Sequence, residues 1–158
     1  MSEFQPLTSW QVKTFNQLSL NELYDALKLR IDVFVVEQTC YYPDLDDLDR
    51  HPETRHIFSY NGKGEMVAYL RILAKGLCYQ EHPSIGRVII AEQARGKGLA
   101  HQLIQKSLEV CSGLFPHQII KISAQEHLEQ FYNHHGFKKC SDMYLEDGIP
   151  HISMLQTP

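Results

Sequence analysis

Hydrophobic and polar positions follow two different periods along the chain, and each change of period marks a predicted element. From Trp10 to Asn16, apolar and polar residues alternate, which predicts a first strand. The segment Ser19-Leu20-Asn21-Glu22 then has the form of a capping box, in which two side chains satisfy backbone N–H groups at a helix start. The predicted helix is apolar at positions three or four residues apart, namely Leu23, Leu27, Ile31 and Phe34.

The middle of the chain reads as a hairpin followed by a strand and a long helix. His56–Tyr60 and Glu65–Ala74 flank the glycine-bearing turn Asn61–Gly64, as in an antiparallel hairpin. Ile85–Ile90 predicts another strand. The helix after it has one broad apolar face, formed by Leu99, Ala100, Leu103, Ile104, Leu108 and Cys111.

In the last third of the chain, predicted strands and a predicted helix again alternate. Ile119–Ile122 is apolar and β-branched, which predicts a central strand. Ser123–Glu126 has the form of a second capping box before a short helix that Gly136 can end. Two late strands, Phe137–Leu145 and Pro150–Leu155, complete the pattern.

Strands joined both by hairpins and by helices predict a mixed sheet covered on both faces. The expected fold class is therefore α+β, a three-layer α/β/α arrangement whose central sheet is mostly antiparallel. A chain of 158 residues with 43% hydrophobic and 22% charged residues has the size and composition of one globular domain, expected over residues 1–158.

Charge and composition exclude several classes of function. The net charge of −4 and the dispersed basic residues argue against a nucleic-acid partner. No secretory leader and no apolar run of about 18 residues is present, which predicts a cytoplasmic protein without a membrane partner. Neither the four cysteines nor the nine histidines have the spacing of a metal site, so no metal is expected.

The most informative segment runs from Val88 to Ala100, where a strand leads through a glycine-containing turn into a helix. A pyrophosphate at a helix N-terminus meets unpaired N–H donors and the positive end of the helix dipole. Gly96 and Gly98 would let the backbone approach such a group closely. The segment is neither a P-loop nor a G-x-G-x-x-G turn, and a simple turn and cap is the alternative interpretation.

Two motifs carry a family resemblance. Gln93-x-x-Gly96-x-Gly98 resembles the acyl-CoA signature of the GNAT acetyltransferase superfamily, and Phe131-Tyr132-Asn133-His134-His135-Gly136-Phe137 resembles a second element of that superfamily. The resemblance narrows to the ElaA-like branch through segments 30–38, 86–89 and 146–152. The segment that begins at Arg30 is also similar to autoinducer synthases, but that match is incomplete.

The resemblance implies a ternary complex in which an amine attacks the thioester of acetyl-CoA without a covalent enzyme intermediate. It implies that Val88 and Ile89 align the pantetheine and that Tyr132 is the general acid, with aromatic packing as the alternative role for Tyr132. The turn and helix start would hold the pyrophosphate through Gln93, Ala94, Arg95, Gly96, Lys97, Gly98, Leu99 and Ala100.

For the acceptor side, Glu37 is the first candidate for the general base and His151 the second, and a structural hydrogen bond is the alternative for both. Three arginines, Arg30, Arg71 and Arg87, could bind an acceptor carboxylate. They could equally pair with Asp44, Asp46, Asp47 and Asp49 of segment 42–52, which is otherwise expected to be a solvated acidic loop.

The acceptor is expected to be a small-molecule or peptide amine, whose identity and the oligomeric state the sequence leaves open. Two other functions remain as alternatives. One is an acyl-CoA-binding or sensing module without turnover, and the other is transfer of a longer acyl group.

Overall fold

The computed structural model describes residues 9–158, and in them eight strands form one mixed sheet. The strands are β1 (Gln11–Lys13), β2 (Arg55–Tyr60), β3 (Met66–Leu73), β4 (Ser84–Ile90), β5 (Ile120–Gln125), β6 (Phe137–Lys139), β7 (Tyr144–Glu146) and β8 (Ile149–Gln156). Their order is β1-β2-β3-β4-β5-β8-β6, and β7 pairs with the other end of β8. Among the strands of the described residues, only the β4–β5 pair is parallel, so the predicted mixed, mostly antiparallel sheet is confirmed.

Helices cover both faces of this sheet. Helix α1 (Leu20–Arg30), which continues as a π-helical segment (Ile31–Glu37), packs through Ala26 and Leu29 on one face. Helix α2 (Leu99–Leu114) packs through Leu103 and Ile104 on the other face. A third, short helix, α3 (Glu129–Asn133), follows β5. The crossover through α2 connects the two parallel strands, as such a pair requires.

The first capping box forms as predicted. Ser19 Oγ accepts a hydrogen bond from the Glu22 backbone at 3.0 Å, and Glu22 Oε1 accepts one from the Ser19 backbone at 2.9 Å. Of the predicted apolar positions of this helix, Leu23, Leu27 and Phe34 are half-buried and Ile31 is exposed, and the fully buried apolar residues are Ala26 and Leu29.

Three other local predictions are corrected. The first strand ends at Lys13, since a 3₁₀ turn begins at Phe15. Ser123 caps no helix, because it lies within β5, where it pairs with Ser153 of β8. The predicted strand Phe137–Leu145 is two strands, β6 and β7.

Two irregularities in β4 open the sheet. β4 pairs with β5 only at Ser84 and Lys121, so the two strands diverge beyond that point. On the β3 side the register shifts between Tyr69 and Arg71, and Arg87 has a φ of +53°. A bulge of this kind re-aims side chains and ends pairing. On its β5 side, the backbone of β4 from Arg87 onward therefore faces a gap, while Ile89 and Ile90 stay paired with β3 on the other side.

Candidate functional site

The turn between β4 and α2 presents a helix N-terminus to the gap in the sheet. Gly96 and Gly98 have φ values of +80° and +78°, a region that favours glycine. The first intrahelical bond runs from the Gln102 N–H to the Gly98 carbonyl at 3.3 Å, so the N–H groups before Gln102 have no partner within the helix. No acidic residue lies in the first turn of α2. This end of α2 therefore suits an anionic group.

A cavity of about 630 Å³ lies against this turn, and we call it the turn cavity. Its volume is in the range of ligand pockets. Of the predicted donor-binding residues, Gln93 and Lys97 lie outside its lining, and eight line it: Val88, Ile89, Ala94, Arg95, Gly96, Gly98, Leu99 and Ala100. The β5-facing edge of β4, the glycine turn and the start of α2 thus line one cavity, and this lining fits an apolar chain that ends in phosphates.

A second cavity, of about 220 Å³, opens next to the first, and we call it the arginine cavity because Arg71 and Arg87 line it. The two cavities share six lining residues: Phe34, Gln38, Val88, Gln125, Leu128 and Tyr132. They therefore meet, and Tyr132 lies where they do.

Tyr132 comes from α3 and is 7% exposed. Its ring packs edge-on against Phe131 and Phe137, with centroids 5.0 and 5.8 Å apart. Burial raises the pKa of its hydroxyl to about 12, so the group stays protonated at neutral pH. The ring of Tyr132 is therefore fixed by its aromatic neighbours, and the residue lines both cavities.

Three arginines and three aspartates join beneath the arginine cavity in a closed ring of ion pairs: Arg30, Asp44, Arg87, Asp46, Arg71 and Asp49. Asp44 joins Arg30 at 2.9 Å to Arg87 at 3.0 Å. Asp49 joins Arg30 at 2.7 Å to Arg71 at 2.9 Å. Asp46 closes the ring, with Arg71 at 2.5 Å and Arg87 at 3.5 Å. We call this cluster the Arg–Asp ring.

The ring corrects the prediction of a solvated acidic loop, because Asp44 and Asp49 are buried. Burial would raise the pKa of Asp46, but the hydrogen bond and charge of Arg71 and the charge of Arg87 lower it to about 2. The same balance lowers the pKa of Asp49 through Arg30 and Arg71. The geometry thus favours pairing within the protein over acceptor-carboxylate binding for the three arginines.

Glu37 is placed differently from the prediction. It lines the turn cavity, not the arginine cavity, and its carboxylate receives two hydrogen bonds from Arg95, at 2.6 and 2.8 Å. These hydrogen bonds hold the pKa of Glu37 below its usual value. A carboxylate held in this way is a weak proton acceptor, so the geometry does not support Glu37 as the general base.

His151, on β8, does line the arginine cavity and is 8% exposed. Its Nδ1 lies 2.7 Å from the Ile149 carbonyl, which can only accept, so Nδ1 carries the proton. Its Nε2 lies 3.2 Å from Glu146 Oε2. Because a carboxylate oxygen only accepts hydrogen bonds, a proton at this contact is shared between Nε2 and Glu146 Oε2, and His151 and Glu146 act as one pair at the wall of the arginine cavity.

Glu146 and Ser123 were missed as site residues. Glu146 lies on β7, and its Oε1 accepts a hydrogen bond from Ser123 Oγ at 3.1 Å. Tyr144 Oη lies 2.5 Å from the same hydroxyl. Glu146 and His151 lie on the two strands of a tight hairpin, five residues apart in sequence. The turn residues Asp147–Gly148, flanked by strand-like alternation, are the one sequence pattern that predicts this hairpin and so brings the two side chains together.

Among residues 9–158, no helix combines the length and apolar character that a membrane crossing needs. The predicted cytoplasmic location remains a prediction.

Comparison with known proteins identifies the class. A family model described as the acetyltransferase (GNAT) domain matches residues 33–157. This range includes the β4–α2 turn, Tyr132 and the strands that line the two cavities. The chain therefore belongs to the GNAT acetyltransferase family, whose fold the sheet and helices described above share. Members of this family use acyl-CoA donors and act on small-molecule or peptide amines.

Within the family, the chain is ElaA-like. The protein ElaA of Escherichia coli strain K12 is 43% identical over 148 residues, which cover 94% of this chain and 95% of that protein. The crystal structure of Escherichia coli ElaA matches with a TM-score of 0.88 and 42% identity, covering 95% of this chain and 99% of that one. An acyl-CoA N-acyltransferase from Pseudomonas aeruginosa matches with a TM-score of 0.87 and 40% identity, covering 94% and 99%.

Proposed function

We propose that this chain is an acetyltransferase that moves the acetyl group of acetyl-CoA to an amine by direct attack in a ternary complex. One observation carries the proposal: the turn cavity and the arginine cavity meet at Tyr132. A donor in the first cavity and an acceptor in the second would bring their reacting ends together at that residue. No nucleophilic side chain is then required.

The donor half of the proposal rests on the turn cavity. Acetyl-CoA supplies the thioester, and the unpaired edge of β4 at Val88 and Ile89 offers strand-like hydrogen bonds to an amide-containing chain. The N–H groups after Gly98 and the dipole of α2 favour the pyrophosphate. Phe34, Leu99 and Phe131 line the cavity and would exclude water from the apolar part of the bound acetyl-CoA.

The transfer itself needs one group that accepts a proton and one that donates a proton. We assign the first role to the His151–Glu146 pair, which takes the proton of the amine as the nitrogen–carbon bond forms. We assign the second to Tyr132, whose hydroxyl protonates the sulfur as the carbon–sulfur bond breaks. Solvent exchange then restores both groups. The proton that the pair has taken is held between His151 Nε2 and Glu146 Oε2.

Binding of the donor tests the first half of the proposal. Acetyl-CoA at about 100 times its Kd should add roughly 2.7 kcal/mol to the free energy of unfolding, measured by thermal shift. Gly98→Val should remove this shift, because a β-branched residue disfavours a φ of +78°. Gly62→Val is the matched control, since an added Cβ meets nothing within 4 Å at either position and Gly62 has no left-handed φ. Equal shifts in both variants would contradict the assigned donor site.

Turnover tests the second half. Release of CoA thiol should require an amine, and acetyl-CoA should be used at least as well as hexanoyl-CoA. Faster release from hexanoyl-CoA would favour transfer of a longer acyl group. Binding of acetyl-CoA with no release against a broad amine panel would favour a sensing module.

A further inference from the structure

The charges around the arginine cavity determine which amines can enter it. The Arg–Asp ring contains three positive and three negative side chains, and each carboxylate contacts two arginines. The two arginines that line the cavity, Arg71 and Arg87, both belong to this ring. The ring is therefore electrically balanced and leaves no net positive charge to hold an acceptor carboxylate.

The orientation of Arg87 leads to the same conclusion. Its Nε donates to Asp44 Oδ1 and its Nη2 donates to the Asp44 carbonyl, both at 3.0 Å. A bidentate grip on a ligand carboxylate needs two parallel N–H groups on one side of the guanidinium. Nη2 also donates to Asp46 Oδ2 at 3.5 Å, so the N–H of Nε and both N–H groups of Nη2 are used within the protein. The two N–H groups that remain are both on Nη1 and do not form a parallel pair.

The remaining charges of the cavity lining are negative. Glu146 and Asp147 lie on the β7–β8 hairpin, both exposed, and both line the arginine cavity. His151 is the one group in the described lining, apart from the paired arginines, that can become positive, and it already faces Glu146. Between the balanced ring and this acidic hairpin, the lining is apolar at Leu73, Ile85 and Ile122.

We propose that the acceptor is a small alkyl diamine or aminoalkyl guanidine, whose reacting end carries no carboxylate. This inference rests on the proposed function and adds the substrate class. The alkyl chain lies along the apolar lining, and the acidic hairpin attracts the cationic ends. A free amino acid is disfavoured, because its α-carboxylate would meet Glu146 and Asp147 without a compensating cation.

Matched acceptor pairs that differ by one carboxylate test this directly. Cadaverine against lysine and agmatine against arginine are compared by kcat/KM in acetyl-CoA-dependent thiol release. The amine without the carboxylate should be preferred about tenfold or more in each pair, as expected for a like-charge contact of more than roughly 1.4 kcal/mol.

Asp147→Asn tests the assigned source of the preference. Asp147 and Gly148 have φ values of +49° and +79°, and an Asn-Gly turn adopts this conformation readily, so the hairpin is kept. The variant should raise KM for cadaverine several-fold with kcat unchanged. Asp142→Asn removes an exposed carboxylate outside the cavity lining and should leave both constants unchanged.

A binding measurement separates this inference from the proposed function. Cadaverine should stabilise the protein–CoA complex more than lysine does, whether or not turnover occurs. Preference for lysine and arginine in binding or turnover would overturn the inference, as would an Asp147→Asn variant with an unchanged KM and unchanged cadaverine binding. Absence of turnover with intact, selective cadaverine binding would overturn the proposed function alone.

Discussion

Replacing Arg30 by methionine should destabilise the protein far more than the loss of an ordinary surface charge. Arg30 is 1% exposed and donates to Asp44 Oδ2 at 2.9 Å, to Asp49 Oδ1 at 2.7 Å and to the Asp44 carbonyl at 2.9 Å. Its guanidinium also lies 5.8 Å from the centroid of the Tyr69 ring. Methionine keeps much of the volume, so the main change is the loss of charge and of three hydrogen bonds.

The expected cost follows from the two carboxylates that lose a partner. Breaking a buried ion pair by removing one side costs about 3–5 kcal/mol. Asp44 and Asp49 keep Arg87 and Arg71 as second partners, which places the cost at the lower end, about 3 kcal/mol. At roughly 2–4 °C per kcal/mol for a domain of this size, Tm should fall by about 6–12 °C.

Urea unfolding followed by circular dichroism measures this cost, with an unchanged m-value as the sign that the unfolded state is the same. Arg50→Met is the matched control. Arg50 pairs with Asp47, but their side chains are 66% and 84% exposed, so its loss should cost less than about 1 kcal/mol. If Arg30→Met costs no more than Arg50→Met, the ring does not contribute to stability as reasoned here.

Two further predictions concern ionised carboxylates. Because the pKa of Asp46 is lowered to about 2, its ionised form stabilises the fold above about pH 4, and this contribution is lost as the pH falls through 2. In Asp46→Asn, the free energy of unfolding should therefore depend less steeply on pH between about 4 and 2 than in wild type. An equally steep fall in the free energy of unfolding would refute this prediction. Glu37→Gln should leave the pH–rate profile of turnover parallel to wild type, because Glu37 is paired with Arg95; a selective loss of rate at low pH would restore Glu37 as the base.

Local signals explain what the sequence predicted correctly. The Ser19–Glu22 capping box formed because its partners are three residues apart and nothing else competes for them. The β4–α2 turn was recognisable because glycines with positive φ precede the helix. The same pattern at Ser123 failed, since continuous pairing of β5 with β8 was the stronger interaction.

Partners distant in sequence explain what the sequence missed. Asp44 and Asp49 are polar residues in a loop, and their burial depends on arginines from α1, β3 and β4. A network of this kind leaves no periodic pattern in the sequence from which it could be predicted. The placement of Glu37 beside Arg95, 58 residues later in the chain, likewise depends on how α1 packs on the sheet. Side-chain pairing across the fold therefore places the three arginines and Glu37, for which the sequence alone left alternatives open.

The measurement that tests the central claim most directly is the rate of acetyl transfer in Tyr132→Phe, determined in a single turnover with cadaverine as acceptor. Phenylalanine keeps the packing against Phe131 and Phe137 and removes only the hydroxyl. The account predicts a rate lower by about 10²- to 10⁴-fold, with the Kd of acetyl-CoA unchanged. A wild-type rate in this variant would contradict the claim that Tyr132 protonates the leaving sulfur.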